Sequence, residues 1–387
     1  MTKITNKTKK VFLILLFACT GLLIALTYLN DSYLFLLIIP PMTVMYEGLV
    51  NDYTKQRVKK KLNWSLIYAD SEEFDKLTNS FKVKNSKYFY ITIPHKYMDI
   101  LEGNCESLNE FLNYLDKNRI KEIIISHDKI DYNTFFNLLE ELRKRKIKVK
   151  VSSASFNVLN KTVGKPFSAG KKIVSLDNNY NVMSHITKRV VDFILACIGV
   201  IILSPLFLVV GIIIKATSSG PIIFKQTRIG KNGKPFSFYK FRSMYKLEGE
   251  DSERKEMMIK FIKESKNQSA DTKVINLARV TWIGKILRRT SLDELPQLFN
   301  VIKGDMSLVG PRPCIPYEFE NYEIWHKRRT DVLPGCTGLW QVSGRSLVSF
   351  DESILLDLCY VYTMNLFMDI RIILKTLPVM FFSKGGK

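Results

Sequence analysis

Three apolar runs constrain this chain more than any other feature, because about 20 consecutive apolar residues need lipid or a large protein core to cover them. The first, Val11–Leu29, follows a basic start with Lys7, Lys9 and Lys10 and is long enough to cross a bilayer as a helix. Asn30 and Asp31 then make a turn, and a second run, Tyr33 to Val50, begins at once, with Pro40-Pro41 kinking or breaking it. No small-x-small cleavage site follows the first run, so residues 1–61 read as a transmembrane hairpin, not a signal peptide. Lys55, Arg57, Lys59, Lys60 and Lys61 close it, which puts both ends of the hairpin in the cytoplasm. The third run, Val190–Ile214, differs: Ser204-Pro205 interrupts it, Lys188 and Arg189 precede it, and Lys215 follows. A straight span would separate those charges and export Lys225, Arg228, Lys231, Lys234, Lys240 and Arg242, against the positive-inside tendency. A re-entrant helix over 189–215, entering one leaflet, breaking at Ser204 and Pro205 and returning to the same face, resolves both conflicts.

Between the hairpin and this helix the pattern changes to short alternating elements. Strands are expected near Leu66–Tyr68, Tyr88–Ile93, Glu122–Ser126 and Ile147–Val151, with helices near Ser107–Leu115 and from Phe135. Such alternation implies a Rossmann-like parallel sheet over residues 62–170. No Gly-x-Gly-x-x-Gly or Walker loop follows any of these strands, so a regulatory or assembly role suits it better than nucleotide binding. Ser152–Lys172, rich in Ser, Gly and Lys, reads as the exit from this domain. The last domain, residues 171–387, contains the broken helix and is expected to be α-rich, so the fold class is an α/β membrane protein. A net charge of +21 calls for an anionic partner: nucleic acid, acidic lipid or a phosphorylated substrate. The six cysteines form no Cys-x-x-Cys pair and the four histidines are dispersed, which argues against a disulfide framework or a zinc site.

Chemistry concentrates between Ile283 and Pro313. Ser291 and Glu294 have capping-box spacing, so a helix is expected to start there with Asp293 and Glu294 in its first turn, where its dipole favours their ionised forms. An ionised aspartate is a competent nucleophile toward phosphorus, and adjacent carboxylates can hold Mg²⁺. Arg288 and Arg289 lie just upstream, and Arg312 is fixed between Pro311 and Pro313. Guanidinium forks fit phosphate oxygens, and a rigid mount lowers the ordering cost. An isolated Asp-Glu pair is also an ordinary acidic helix start.

The whole run resembles the polyprenyl-phosphate sugar-1-phosphate transferases, the monotopic phosphoglycosyl transferases. Further stretches carry the same resemblance: Lys188–Asp192 leading into Ser204-Pro205, Gly220–Gly230, Phe238–Met244 and Leu333–Arg345. It covers Lys188 to the C terminus. The resemblance implies that Asp293 attacks the sugar-bearing phosphate of a nucleotide diphosphosugar, a UDP-sugar, to give an aspartyl-phosphosugar. Glu294 then assists the incoming polyprenyl (undecaprenyl) phosphate, with Mg²⁺ shared by the acidic pair and the diphosphate. It implies Arg288 as clamp for the lipid phosphate and Arg312 for the nucleotide sugar. Lys240 and Arg242 add phosphate neutralisation, or face lipid headgroups, and Gln341 and Arg345 are further substrate-binding residues. The partners implied are the nucleotide sugar, the lipid phosphate and the cytoplasmic face of the membrane, not nucleic acid; a homo-oligomer or an assembly with other polysaccharide-synthesis proteins stays open. Two rivals also stay open: a non-catalytic membrane anchor, and a glycosyltransferase releasing a nucleoside diphosphate. Leu247–Lys273 reads as a variable surface insertion, and the apolar positions of Asp351–Phe382, Ile354 to Leu374, suit interfacial helices or core equally.

Overall fold

The computed structural model of the chain describes residues 63–68, 88–104, 106–127, 129–152, 154–168, 171–176, 182–245, 252–263, 280–343 and 348–382. The hairpin expected over residues 1–61 lies outside them, as does Arg345.

The first described region alternates strand and helix because its apolar residues do. Strands β1 (Asn63–Tyr68), β2 (Tyr88–Thr92), β3 (Ile120–Ile125) and β4 (Lys148–Val151) are interleaved with helices α1 (Leu108–Lys117) and α2 (Tyr132–Lys144). β1 and β3 run parallel with Leu66 opposite Ile123, and β3 and β4 parallel with Ile123 opposite Val149. Leu66, Ile67 and Tyr68 are buried in succession, as are Ile123, Ile124 and Ile125, which is the pattern of strands covered on both faces. Asp131 caps α2 by accepting from the Thr134 amide at 2.8 Å.

The expectation of a parallel sheet ending at residue 170 is corrected here. After α3 (Asn157–Thr162), strands β5 (Lys165–Ser168) and β6 (Lys171–Ser175) form a hairpin, and β6 pairs antiparallel with β4, Val151 opposite Val174. The sheet order is β2-β1-β3-β4-β6-β5, a mixed sheet that runs on to Ser175. Only Ala169 and Gly170 separate β5 from β6, too short a link for anything but an antiparallel return.

Helix α4 (Val182–Thr217) follows and is, among the described residues, the one helix long and apolar enough to cross a membrane. Most of its surface has no protein cover: Ile201 is 71% exposed and Ile202 70%, a patch that water alone does not tolerate well. The expected break at Ser204-Pro205 is not a loss of helix, since α4 continues through Pro205. Proline has no N–H for the carbonyl four residues back, that of Ile201; the Ser204 hydroxyl donates to that carbonyl at 2.8 Å instead.

The remainder is α-rich with two small sheets. Strands β7 (Ile223–Ile229) and β8 (Pro235–Phe241) form a hairpin. Helix α5 (Ser252–Lys263) lies in the expected surface insertion, and α6 (Trp282–Arg289) and α7 (Gln297–Lys303) follow it. Strand β9 (Ser307–Val309) pairs parallel with β10 (Gly335–Thr337), across the short helices α8 (Pro316–Glu320) and α9 (Ile324–Lys327). Helices α10 (Leu339–Ser343), α11 (Phe350–Thr363) and α12 (Leu366–Phe382) complete it. The two readings of the C-terminal pattern divide between helices. Ile354, Leu355, Leu358 and Val361 of α11 are core, whereas α12 exposes Phe367, Ile370 and Leu374. From Trp64 onward the sheet region and this α-rich region form one unit.

Both halves of α4 rest on the same short helix, α7. Gly199 lies against Leu298, Ala196 clusters with Val301, and further along the Phe207 and Phe299 rings meet at 5.6 Å. At the start of α4, Lys188 pairs with Asp369 at 2.7 Å and Asp192 at 3.4 Å, and Arg189 donates to the Val301 and Ile302 carbonyls at the end of α7.

Candidate active site

The acidic pair sits between α6 and α7, and the local chain explains why. Helix α6 ends at Arg289, and Ser291 adopts a left-handed φ of 56°, which turns the chain sharply. Leu292–Glu294 form one 3₁₀ turn, and Pro296, lacking an N–H, confines α7 to the residues after it. The expected capping box is therefore absent: Ser291 makes no side-chain cap, and Asp293 and Glu294 precede the α-helix instead of opening it.

Asp293 is buried at 8% exposure, and Glu294 is half-buried with its carboxylate on the Lys240 ammonium at 2.8 Å. Lys240 arrives from β8, and Asn300 of α7 holds that strand in place. The Asn300 amide donates to the Ser237 carbonyl at 2.7 Å and accepts from the Tyr239 amide at 3.0 Å, completing both backbone groups at the strand edge. Asn300 is fully buried. The environment separates the two carboxyls. Burial pushes Asp293 up to about 6, with Lys240 pulling it back and the neighbouring Glu294 charge adding to the rise. Burial opposes the charge on Glu294 as well, but Lys240 and Arg312 outweigh it and hold that carboxyl well below the usual range. One member stays ionised through the physiological range and the other titrates near its lower edge.

Beside the pair lies a small, open recess lined among others by Glu294, Gln297, Arg228, Arg312, Gln341 and Cys336. Its Arg312 wall is built by close backbone approach. Gly335 donates to the Pro311 carbonyl at 2.9 Å, and a Cβ at Gly335 would lie 2.0 Å from the Gly310 nitrogen, so a larger residue there would force the strands apart. Arg228 donates to the Pro313 carbonyl at 3.2 Å and Arg329 to that of Arg312 at 3.0 Å, which fixes the loop from two directions. Phe238 lies under both Arg228 and Lys240, with the cations 5.5 and 5.3 Å from its ring centre.

The structure brings Asp293, Glu294, Lys240, Arg312 and Gln341 to one place, and Arg288, at the end of α6, lowers the Asp293 carboxyl from close by. Arg242 is elsewhere. Its guanidinium is buried and donates to the carbonyls of Ile214, Ser218 and Ser219, closing the C-terminal end of α4. Gly220, at a φ of 115°, leaves room for it; a Cβ there would meet Arg242 Nη1 at 2.4 Å. The sequence reading missed Gln297, Asn300, Arg228 and Arg329 as site builders. Their signals are single polar residues inside apolar or basic stretches, which look the same whether they face solvent or the backbone of another strand. For Mg²⁺, no group of three or more His, Cys, Asp or Glu stands together among the described residues. Two adjacent carboxylates, one already bound by a lysine, fit an ion shared with substrate oxygens and not one caged by protein.

The site thus combines a buried carboxyl, a neighbouring carboxylate locked by a lysine and two arginines, in a chain that also carries a long, largely uncovered apolar helix. The chain belongs to the bacterial sugar transferase family, whose model matches residues 183–383, just over half of it. It is 40% identical over 247 residues to the galactosyl transferase CpsE of Streptococcus agalactiae, covering 62% of this chain and 52% of that one. It is 36% identical over 278 residues to the undecaprenyl-phosphate galactose phosphotransferase of Salmonella typhimurium, covering 70% and 58%. It is 40% identical over 201 residues to the exopolysaccharide production protein ExoY of Sinorhizobium fredii, covering 52% and 88%. The chain spans little more than half the length of the first two of these relatives.

Proposed function

We propose that this chain transfers a sugar 1-phosphate from a nucleotide diphosphosugar to polyprenyl phosphate, the step that starts a surface polysaccharide. The observation that carries the reading is the split pair, Asp293 buried and Glu294 held by Lys240, against a pocket walled by Arg312. The ionised Asp293 carboxylate attacks the sugar-bearing phosphorus, the bond to the bridging oxygen breaks, and nucleoside monophosphate leaves with that oxygen. A phosphate oxygen of the lipid then attacks the same phosphorus, the aspartyl bond breaks, and Asp293 is regenerated as carboxylate with a polyprenyl-diphosphate sugar as product. Glu294 orients the incoming lipid phosphate; Arg312, Gln341 and Arg345 bind the donor, and Arg288 binds the lipid phosphate. Asp293 and Glu294 would hold Mg²⁺, which when bound neutralises diphosphate charge.

The membrane geometry follows from the same reading. Ser204-Pro205 falls between the Gly199 and Phe207 contacts of α4 with α7, and basic residues stand at both ends of the apolar run, Lys188 and Arg189 before it and Lys215 after. That placement of charges and of the proline supports a re-entrant α4 bent at Ser204-Pro205, with the catalytic residues on the cytoplasmic face. The test is an assay in detergent with Mg²⁺, undecaprenyl phosphate and a panel of UDP-sugars. Release of UMP that needs both the lipid and Asp293 is the expected result. Release of UDP would replace the reading with glycosyl transfer, and full activity in Asp293→Asn would remove the covalent step.

A further inference from the structure

We propose that Arg329 is a positioning residue for Arg312 and that the sheet region, docked through α2, sets it. The proposal rests on the donor-binding role of Arg312 given above. Arg329 is buried, and its guanidinium bridges three elements. It pairs with Asp357 of α11, donates to the Tyr322 hydroxyl at 3.1 Å and donates to the Arg312 carbonyl at 3.0 Å. Arg312 has a proline on each side, so a shift of its carbonyl moves the mount of its side chain with little slack to absorb it.

Both elements that grip Arg329 are themselves gripped by α2. On the segment leading into Arg329, the Trp325 ring stacks on Phe136 at 5.8 Å and 7°, and its amide donates to the Asn133 side chain at 3.2 Å. Arg328, next to Arg329, donates to the Asn137 side chain at 2.7 Å. On α11, Tyr362 stacks on the same Phe136 at 5.8 Å and 11°. One face of α2 thus fixes the two supports of a buried cation whose third bond ends in the wall of the pocket. Small displacements there are costly, since misplacing a clamping group by about 1 Å can cost about a hundredfold in rate.

The test uses the full chain in detergent. In Asn133→Ala/Asn137→Ala, which removes three docking hydrogen bonds, one of them from the Asn133 amide to Glu323, the KM for the UDP-sugar should rise about five- to tenfold while that for undecaprenyl phosphate stays constant. Amide exchange at Gly310, Arg312 and Cys314 should accelerate. In an Arg312→Lys background the same pair of changes should add less than about twofold, because the group they displace is already compromised. Arg329→Lys, which keeps a cation for Asp357 but loses the fork, should show the same donor-selective rise; should it fail to fold, the docking variant still decides. An unchanged donor KM with unchanged exchange, or a full multiplicative effect on top of Arg312→Lys, overturns the proposal. A wild type without UMP release whose docking variant still exchanges faster would sink the assigned reaction and leave the positioning intact.

Discussion

Burial makes the ionised form of Asp293 costly to the fold. The folded chain holds its proton up to about pH 6, while the unfolded chain releases it near 3.8, so this residue contributes stability at low pH that is lost as pH rises through that window. Asp293→Asn should therefore abolish turnover and yet stabilise the fold at neutral pH, by about 1–3 kcal/mol in denaturant unfolding. Loss of activity with loss of stability would mean that the side chain is structural. For the same reason kcat/KM should climb as pH rises through about 6, the ionised form being the nucleophile. Lys240 lowers the Asp293 carboxyl, so Lys240→Met should move that acid limb toward higher pH; an unmoved limb would detach it from Asp293.

At the scale of elements, the site depends on how α7 reads the edge of β8. Asn300→Ala would leave the Tyr239 amide and Ser237 carbonyl without their partner, a loss of about 2–3 kcal/mol in thermal or denaturant unfolding, with activity falling as Lys240 loses its register against Glu294. An effect below about 0.5 kcal/mol would mean that water replaces the amide at no cost. The bend proposed for α4 belongs to the same scale. Pro205→Ala restores an N–H for the Ile201 carbonyl and should favour a straight span, moving cysteines introduced at Ser184 and Ser219 to opposite sides in a labelling experiment. Same-side labelling in the variant would mean that the contacts of α4 with α7 set the bend.

Across the whole molecule, what was legible in the sequence is what repeats or is covalently local. The β/α alternation around Leu66–Tyr68 and Ile123–Ile125 shows because both faces of those strands are apolar, and the acidic pair with its arginines shows because they are neighbours in the chain. The β5–β6 hairpin escaped because Lys165–Ser175 is short and polar, and its pairing with β4 is a tertiary fact. Arg242 was misplaced because a guanidinium that caps a helix and one that binds phosphate have the same spelling. Ser291 was misread because a left-handed φ leaves no mark in composition. The hydroxyl of Ser204 has a last consequence at this scale. Since the carbonyl that Pro205 leaves without a backbone donor is satisfied from within the same turn, α4 passes the proline owing no hydrogen bond to hydrocarbon, headgroup or water. What holds α4 to the rest of the protein is then at its two ends, Lys188 and Arg189 at one and Arg242 at the other, and not at the proline.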